Sequence, residues 1–339
     1  MIRVGVIGYG YWGPNLTRNF VEAEGATVVA VADMRPERLA AAASRYPWVR
    51  TSADYHDVIA APDVDAVAIA TPVASHFEIA SGALEAGKHV LVEKPLASSS
   101  DEVCRLIDLA SRRGLVLMVD HTFIYAGPIR AIRQLIADGE LGDLYYYDAV
   151  RVSLGLLQHD VDVLWDLAVH DLSIMDHVLP LRPCAVSATG LSHVPGRPED
   201  VAYLTLFFDG PLIGHVHVNW LAPVKIRRTL IGASRRMIVY DDLDPSEPVK
   251  LYDRGIQVSE SADSIHQMLV GYRTGDMWAP KVDLREALAT EAAHFVTCVR
   301  DGTHPITDGE AGLRIVRILE AARRSMAGRG RTVEIEGQI

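Results

Sequence analysis

The feature that most constrains this fold is a glycine-rich turn between a buried strand and a helix near the start of the chain. Residues 2–7 form a short apolar run, typical of a parallel strand covered on both faces, and a GxGxxG spacing follows directly. Pro14 then opens a helical stretch, where its missing N–H group would have no partner in any case. A second strand, residues 27–32, ends at Asp33. This order predicts a β-α-β unit whose turn approaches a bound phosphate group.

Each glycine of the turn has its own physical task. Gly8 permits the tight turn, Gly10 lets the backbone approach a pyrophosphate, and Gly13 brings the helix close to the strand. Asp33 lies 25 positions beyond the first glycine, where a carboxylate accepts hydrogen bonds from the adenosine ribose and repels a phosphate on it. The sequence therefore predicts NAD as the cofactor, with NADP less favoured, and Arg35 would soften that preference. The alternative is a glycine-rich turn that binds no ligand.

Strands and helices continue to alternate through the first third of the chain, which predicts an α/β fold with a doubly wound parallel sheet. We expect this Rossmann domain to span residues 1–120 and a second α/β domain to span residues 121–339. Further elements of the first domain are predicted as helices over 36–46, 77–86 and 101–113, and as strands over 66–70, 89–92 and 115–119. In the second domain we predict helices over 166–179, 284–299 and 310–326, and strands over 144–153, 202–208, 213–220, 227–232 and 237–240.

Composition excludes several classes of protein. The net charge of −11 disfavours a nucleic-acid partner, because backbone binding depends on clustered Lys and Arg. The three cysteines lie far apart, so we expect neither a disulfide framework nor a structural metal. The longest apolar runs are too short to cross a bilayer, and the chain begins in a strand pattern. We expect a cytoplasmic protein that binds no membrane and holds no metal.

Two short motifs follow strands of the first domain, at the sheet edge where ligands of such folds bind. One is Thr71-Pro72 with His76, and the other is Glu93-Lys94-Pro95. Together with the glycine turn, they complete the set of expected cofactor contacts, which is Gly8, Gly10, Tyr11, Trp12, Gly13, Asp33, Met34, Arg35, Thr71, Pro72, His76, Glu93 and Lys94.

In combination, the motifs GYGYWG, ATPVASH, LVEKP and WDLAVHD resemble those of the glucose–fructose oxidoreductase/inositol dehydrogenase family, known as Gfo/Idh/MocA. The resemblance extends over essentially the whole chain. It implies a C-terminal domain built on a large, mostly antiparallel, open-faced sheet, and an NAD(P)-dependent oxidoreductase that acts on a CH–OH group of a sugar or cyclitol. It also implies a homodimer or homotetramer, a cis Lys94–Pro95 bond, and catalytic roles for Lys94, Asp166 and His170.

The chemistry of these three residues agrees with that implication. Asp166 and His170 lie four positions apart on a predicted helix, so their side chains share one face. Oxidation of a hydroxyl needs its proton removed, and an imidazole is suited to that task near neutral pH. Asp166 would support the imidazolium, and Lys94 would stabilise negative charge on the oxygen. Taken singly, a lysine at a strand end is usually a solvated cation, and a histidine on a helix is usually structural.

Further candidate positions are less specific. His215 and His217 share one face of a predicted strand, but they lack a third ligand at a suitable spacing, so we interpret them as a feature of the sheet surface. Residues 159–162 precede the catalytic helix, and either contact with substrate or a solvated loop would fit them. The residues that we expect to bind substrate are Lys94, His121, Arg151, His159, Asp160, Trp165, Asp166 and His170.

The substrate is addressed by a closer resemblance and by two opposed charge patterns. The second domain resembles a branch of 3-dehydrogenases and 3-ketoreductases that act on nucleotide-activated sugars and aminoglycosides, in antibiotic and cell-surface sugar pathways. An acidic cluster around the predicted site would attract a polyamine sugar, and it comprises Asp160, Asp162, Asp166 and Asp171. A basic cluster would grip a diphosphate, and it comprises Lys225, Arg227, Arg228, Arg235 and Arg236. The net charge tips this balance slightly towards an aminoglycoside.

Three other functions stay open at this point. The enzyme could run as a ketoreductase on a nucleotide-linked ketosugar. Some relatives use NAD transiently to hydrolyse glycosidic bonds, with no net NADH. Others are regulatory proteins with the same fold and a decayed site, which the presence of Lys94, Asp166 and His170 argues against.

Overall fold

The computed structural model describes residues 1–155, 161–258 and 270–337. These residues form two compact units: unit 1 comprises 1–126 and 285–320, and unit 2 comprises the described residues within 127–284 and 321–339. The single boundary expected near residue 120 therefore differs from the observed division, because residues 285–320 return to unit 1.

The helices and strands are as follows. The helices are α1 (Gly13–Glu22), α2 (Pro36–Arg45), α3 (His56–Ile59), α4 (His76–Glu85), α5 (Ser100–Arg113), α6 (Gly127–Ala137), α7 (Val169–Val178), α8 (Ala287–Asp301) and α9 (Gly309–Ala327). The strands are β1 (Ile2–Ile7), β2 (Ala26–Ala32), β3 (Arg50–Ser52), β4 (Ala66–Ile69), β5 (His89–Glu93), β6 (Leu117–Asp120), β7 (Leu144–Leu154), β8 (Pro183–Leu191), β9 (Val201–Phe208), β10 (Ile213–Asn219), β11 (Leu221–Ala233), β12 (Met237–Asp241), β13 (Val249–Val258), β14 (Val270–Trp278) and β15 (Val333–Glu334).

Unit 1 is the expected Rossmann fold. Its six strands are parallel neighbours in the order β3-β2-β1-β4-β5-β6, so the chain reverses direction across the sheet between β1 and β4. Residues of β4 are buried throughout, which agrees with an apolar strand covered on both faces. The reversal at β1 places the glycine turn at the switch point where ligands bind in such sheets.

The return of α8 to unit 1 has a packing reason. Its buried residues recur at helical spacing, and Phe295 packs edge-to-face against Phe20 of α1 with ring centroids 5.8 Å apart. Both phenylalanines are fully buried in the core of this unit. A helix predicted correctly from its pattern was thus assigned to the wrong unit, since periodicity does not reveal which sheet a helix covers.

Unit 2 holds the predicted antiparallel sheet. Its nine strands run in the order β14-β13-β12-β11-β7-β10-β9-β8-β15, and only β7 and β10 pair in parallel. The fold class expected from the sequence is confirmed. Within unit 2, the sequence patterns missed α6, β8, β13, β14 and β15.

Across the described ranges, we find no helix that combines the length and the apolar character needed to span a membrane.

Candidate active site

The glycine turn has the shape that a dinucleotide pyrophosphate requires. Gly8 has a φ of +93°, and a Cβ there would lie 2.5 Å from the carbonyl oxygen of Ala70. A Cβ on Gly13 would lie 2.1 Å from the carbonyl oxygen of Gly8, so only glycine allows α1 to start this close to β1. A Cβ on Gly10 would meet a single neighbour, the Arg35 guanidinium, at 3.4 Å. The backbone at Gly10 is therefore open on the side that a ligand must approach.

Asp33 is held in place by two neighbours. Its Oδ2 accepts the backbone N–H of Tyr9 at 2.7 Å and the Nη2 of Arg35 at 3.0 Å. Its Oδ1 accepts the backbone N–H and the Nε of Arg35 at 2.9 and 3.0 Å. Burial by itself would raise the pKa of Asp33, but these hydrogen bonds outweigh it and lower that pKa. The carboxylate is therefore charged, and Arg35 must release it before both oxygens can serve ribose hydroxyls.

His76 connects the two strand-end motifs. Its side chain is fully buried, with Nδ1 2.9 Å from the carbonyl oxygen of Pro95 and Nε2 2.8 Å from that of Thr71. Both ring nitrogens are thus engaged by the backbone. The Lys94–Pro95 bond is cis, as the resemblance implied. We therefore assign His76 to holding these two segments together, whereas Pro72 at the surface stays a predicted cofactor contact.

Lys94 and His121 follow the carboxyl ends of β5 and β6, and the charge of Lys94 acts on the His121 imidazole. His121 is 2% exposed, and neither ring nitrogen has a partner among the described residues. Burial lowers the pKa of His121 to about 3, helped by the positive charges of Lys94 and Arg314, so the imidazole is neutral. A neutral, unpartnered imidazole at this edge fits a ligand that offers a hydrogen bond, as expected for a substrate or cofactor contact.

The remaining cofactor candidates differ in exposure. The side chains of Tyr11 and Met34 are each 86% exposed, so both are open to an incoming ligand. Trp12 is fixed instead, since its Nε1 donates to Oδ2 of Asp120 at 2.7 Å. Glu93, at the end of β5, is half-buried.

The catalytic pair of unit 2 lies across a change of helix type. Asp166 belongs to a π-helical turn, Leu164–Ala168, which leads directly into α7 and His170. Such turns are rare, and they occur frequently at functional sites. Oδ2 of Asp166 accepts the indole Nε1 of Trp220 at 3.1 Å, which orients the carboxylate.

Asp162 begins this helix and is not available to a substrate. Its Oδ1 caps the backbone N–H groups of Leu164 and Trp165 at 3.0 and 3.1 Å. Its Oδ2 accepts Arg323 at 2.8 Å, and the guanidinium of Arg323 covers the Trp165 ring at 4.9 Å. Trp165 is 3% exposed, so the interior of unit 2 holds the ring that we expected to contact substrate.

Arg151 is also buried in unit 2. It donates to both carboxylate oxygens of Asp171, at 2.7 and 3.0 Å, and each side chain is 4% exposed. Arg151 on β7 therefore fastens α7 to the sheet, which differs from the substrate role that the sequence suggested. The other two candidates, His159 and Asp160, lie outside the described residues.

The two charge clusters are mostly neutralised by ion pairs. In the acidic cluster, Asp162 and Asp171 pair with arginines as described above. In the basic cluster, Arg227 pairs with Asp242 at 3.0 Å and Arg228 with Asp241 at 2.6 Å, while Arg236 pairs with Glu140. Ion pairs thus neutralise two of the four acidic members and three of the five basic members, which weakens both substrate arguments.

The histidines on β10 behave as a surface feature of the sheet. His217 stacks on Tyr203 with ring centroids 4.4 Å apart, and His215 lies 3.3 Å from a carboxylate oxygen of Asp148. In the described ranges, no group of three or more His, Cys, Asp or Glu side chains is placed to hold a metal ion.

Comparison with known proteins agrees with both halves of this description. Residues 2–121 match the model of an oxidoreductase family with an NAD-binding Rossmann fold, and residues 129–239 match a GFO/IDH/MocA C-terminal domain. The open backbone at Gly10 and the charged Asp33 fit the dinucleotide that this match specifies, so unit 1 binds NAD.

Individual relatives cover much of the chain. The dTDP-3,4-didehydro-2,6-dideoxy-alpha-D-glucose 3-reductase of Saccharopolyspora spinosa is 36% identical over 70% of this chain and 74% of its own. The UDP-N-acetylglucosamine 3-dehydrogenase of Acidithiobacillus ferrooxidans is 27% identical over 93% of this chain and 94% of its own.

Solved structures show the same fold. The structure of the A. ferrooxidans enzyme superposes with a TM-score of 0.81 at 26% identity, covering 96% of this chain and 98% of its own. A levoglucosan dehydrogenase in complex with NADH, at 22% identity, has a TM-score of 0.81 over 98% of this chain and 99% of its own. With both domain models matched in order, the chain belongs to the Gfo/Idh/MocA family of NAD-binding oxidoreductases.

Proposed function

We propose that this enzyme oxidises a secondary hydroxyl of a nucleotide-activated sugar, at C3, with NAD as the hydride acceptor. The observation that carries the proposal is the Asp166–His170 pair, which spans the π-helical turn and the start of α7. The other unit of the same chain contains the glycine turn that fits NAD. A decayed, regulatory relative would have no reason to keep an oriented carboxylate four residues before a histidine.

The chain's own groups supply the proton chemistry. His170 accepts the hydroxyl proton as the ketone forms, and Asp166, oriented by Trp220, stabilises the resulting imidazolium. Lys94 places positive charge near the oxygen as its O–H bond breaks. Bound NAD supplies the electrophilic carbon that receives the hydride.

The acidic cluster gives an aminoglycoside less support than its sequence suggested, and the names of two relatives favour a nucleotide sugar. The acidic cluster that suggested a polyamine loses two of its four members to arginine partners, Asp162 to Arg323 and Asp171 to Arg151. The 3-reductase and the 3-dehydrogenase named above act, by their names, on nucleotide-linked sugars at position 3. These two observations together support the substrate class, and either direction of the reaction is compatible with them.

The assembly expected from the family is a homodimer or homotetramer of closed symmetry, formed by the open face of the unit 2 sheet. Support comes from side chains of that sheet that lie exposed although apolar or aromatic, such as Tyr203, Ile213 and Val224. Light scattering at micromolar concentration should give two or four times the 37.1 kDa of one chain, and a mass of 37.1 kDa would contradict this assembly.

The test of the activity is a substrate panel with purified enzyme and NAD⁺. UDP- and dTDP-hexoses and a set of aminoglycosides are incubated separately, and each is followed by NADH absorbance and by mass spectrometry. We expect NADH formation with a nucleotide sugar, together with a product lighter by two hydrogens. The same nucleotide sugar lacking its 3-hydroxyl is the matched control, and it should give no NADH.

Other outcomes decide against the proposal. Turnover of an aminoglycoside alone would restore the substrate that the net charge suggested. Sugar release without NADH would indicate hydrolysis with transient use of NAD. NAD binding with no turnover of any sugar, in either direction, would indicate a regulatory protein.

A further inference from the structure

Glu291 is a buried acidic residue that the proposed chemistry does not use. It lies on the apolar side of α8, among the buried residues Leu288, Ala292 and Phe295, and its exposure is 0%. Neither of its carboxyl oxygens accepts a hydrogen bond from the described residues. A charged carboxylate in such surroundings is strongly unfavourable, so the group must find another way to satisfy its oxygens.

The groups that face Glu291 come from three other elements. Asp120 ends β6, Thr122 and Tyr125 lie in the 3-10 turn that follows, and Glu93 ends β5. None of these neighbours carries a positive charge, and the Thr122 hydroxyl, which by itself would lower the pKa of Glu291, is outweighed by burial and by Asp120. Burial and the charge of Asp120 raise the pKa of Glu291 well above its usual value, with a smaller contribution from Glu93.

Asp120 is the acceptor in this cluster. Its Oδ2 receives the Trp12 indole N–H at 2.7 Å, and its Oδ1 receives the Thr122 hydroxyl. Thr122 has a single hydroxyl hydrogen, and because it is given to Asp120 it is not available to Glu291. The remaining arrangement that satisfies both buried acids has Glu291 protonated, with its O–H donating to Asp120.

Trp12 ties this cluster to the cofactor turn, because it lies between Gly10 and Gly13 and immediately precedes α1. We propose that protonated Glu291 donates a hydrogen bond to Asp120, and that this carboxyl pair is a positioning element that holds Trp12 and thereby sets the affinity of unit 1 for NAD. When the Glu291 proton is lost to water, two adjacent carboxylates repel each other, Asp120 shifts, and Trp12 loses its anchor. The inference rests on NAD binding and is independent of the sugar.

The experiment compares two replacements of similar size in the full chain. Glu291→Gln keeps a donor for Asp120 and cannot ionise, whereas Glu291→Met fills the space without a donor. Calorimetry with NAD⁺, in the absence of any sugar, should show Glu291→Gln close to the unmodified protein at pH 7 and Glu291→Met about tenfold weaker. When the pH is raised to about 9, the NAD⁺ affinity of the unmodified protein should fall, whereas that of Glu291→Gln should stay the same.

Infrared spectroscopy gives a readout that packing does not mimic. The unmodified protein should show the carbonyl stretching band of a buried protonated carboxyl, which shifts in D₂O and is absent from Glu291→Gln. If that band is missing, Glu291 is ionised and the proposal is wrong. Equal NAD⁺ affinity of Glu291→Met and Glu291→Gln would likewise reduce the residue to a space-filling role. Should Glu291→Met fail to fold, the band and the pH response of Glu291→Gln decide.

The pair also has a consequence for stability. The pKa of Glu291 is raised in the folded protein. Its protonated carboxyl therefore contributes fully to the free energy of unfolding at a pH below the pKa of an unfolded glutamate. That contribution is lost as the pH rises through the folded pKa. Thermal unfolding of the protein without NAD should therefore show a smaller decline towards alkaline pH in Glu291→Gln than in the unmodified chain.

Discussion

Two Asp–Arg pairs, one in each unit, use the same chemistry in opposite surroundings. In unit 2, Arg151 and Asp171 are both 4% exposed and make two parallel hydrogen bonds. In unit 1, the Asp33 carboxylate is 6% exposed, but its partner Arg35 is 50% exposed. Both members of this pair are shielded from water, so the pair serves the architecture of its unit. The half-exposed pair can open towards water or a ligand, because solvation compensates the guanidinium when it leaves.

The largest effect should come from breaking the buried pair. Asp171→Ala removes the carboxylate that accepts two hydrogen bonds from the buried Arg151, so we expect the free energy of unfolding to fall by about 3–5 kcal/mol in denaturant titration. Asp176→Ala on the same helix is the matched control, because its partner Arg182 is 39% exposed and can be hydrated. The control should lose about 1 kcal/mol.

An additional variant separates charge from packing at this position. Arg151→Met combined with Asp171→Leu removes both charges and should recover most of the lost stability. If Asp171→Ala unfolds no more easily than Asp176→Ala, burial of the arginine does not set the stabilising effect of an Asp–Arg pair, and the contrast with the half-exposed pair of unit 1 fails.

The next effect concerns turnover and tests whether the catalytic pair is chemical or architectural. His170→Ala, Lys94→Ala and Asp166→Asn should each lower kcat by about 10²-fold or more, with NAD⁺ affinity nearly unchanged. The pH–rate profile should lose its rising limb in His170→Ala. His177→Ala is the control on the same helix: burial and neighbouring arginines lower the pKa of His177 to about 4, and it should turn over normally.

The pattern across these variants assigns the roles. Normal kcat with weakened sugar binding in His170→Ala would make Lys94 the better candidate for the base. Normal kcat in both variants would remove the proposed site.

The smallest effect concerns the half-exposed pair and the choice of cofactor. Asp33 repels a ribose phosphate, so the unmodified protein should bind NAD⁺ more tightly than NADP⁺ in calorimetry. Asp33→Ala should reduce the ratio of NAD⁺ affinity to NADP⁺ affinity. Arg35→Ala should raise that ratio by about tenfold, since Arg35 is the cation beside a ribose phosphate. Arg38 is an exposed arginine on α2, which begins directly after Arg35, and Arg38→Ala is the control that should change neither affinity. Tighter binding of NADP⁺ by the unmodified protein would contradict this account of Asp33.

The candidate site was predictable where local sequence carries the information. The glycine turn and Asp33 were found because each needs only a strand, a turn and a helix in order. The surroundings of Trp165 and Arg151 could not be predicted for the opposite reason: an aromatic ring and a guanidinium in a site-like motif look the same whether they are buried or exposed, and both are buried. Glu291 was overlooked, although an acidic residue within the apolar stripe of a helix is a signal that could have drawn attention to it.

For this protein, the sequence by itself determined the strand–turn–helix order, the cofactor class and the spacing of Asp166 and His170. These properties are local, since they follow from residues a few positions apart and from backbone rules that every chain obeys. Only the tertiary structure decided that α8 covers the first sheet, that Arg151 meets Asp171, and that Glu291 lies against Asp120. Each of these pairings joins residues from separate parts of the chain, and burial then determines which charges are compensated and which protons are kept.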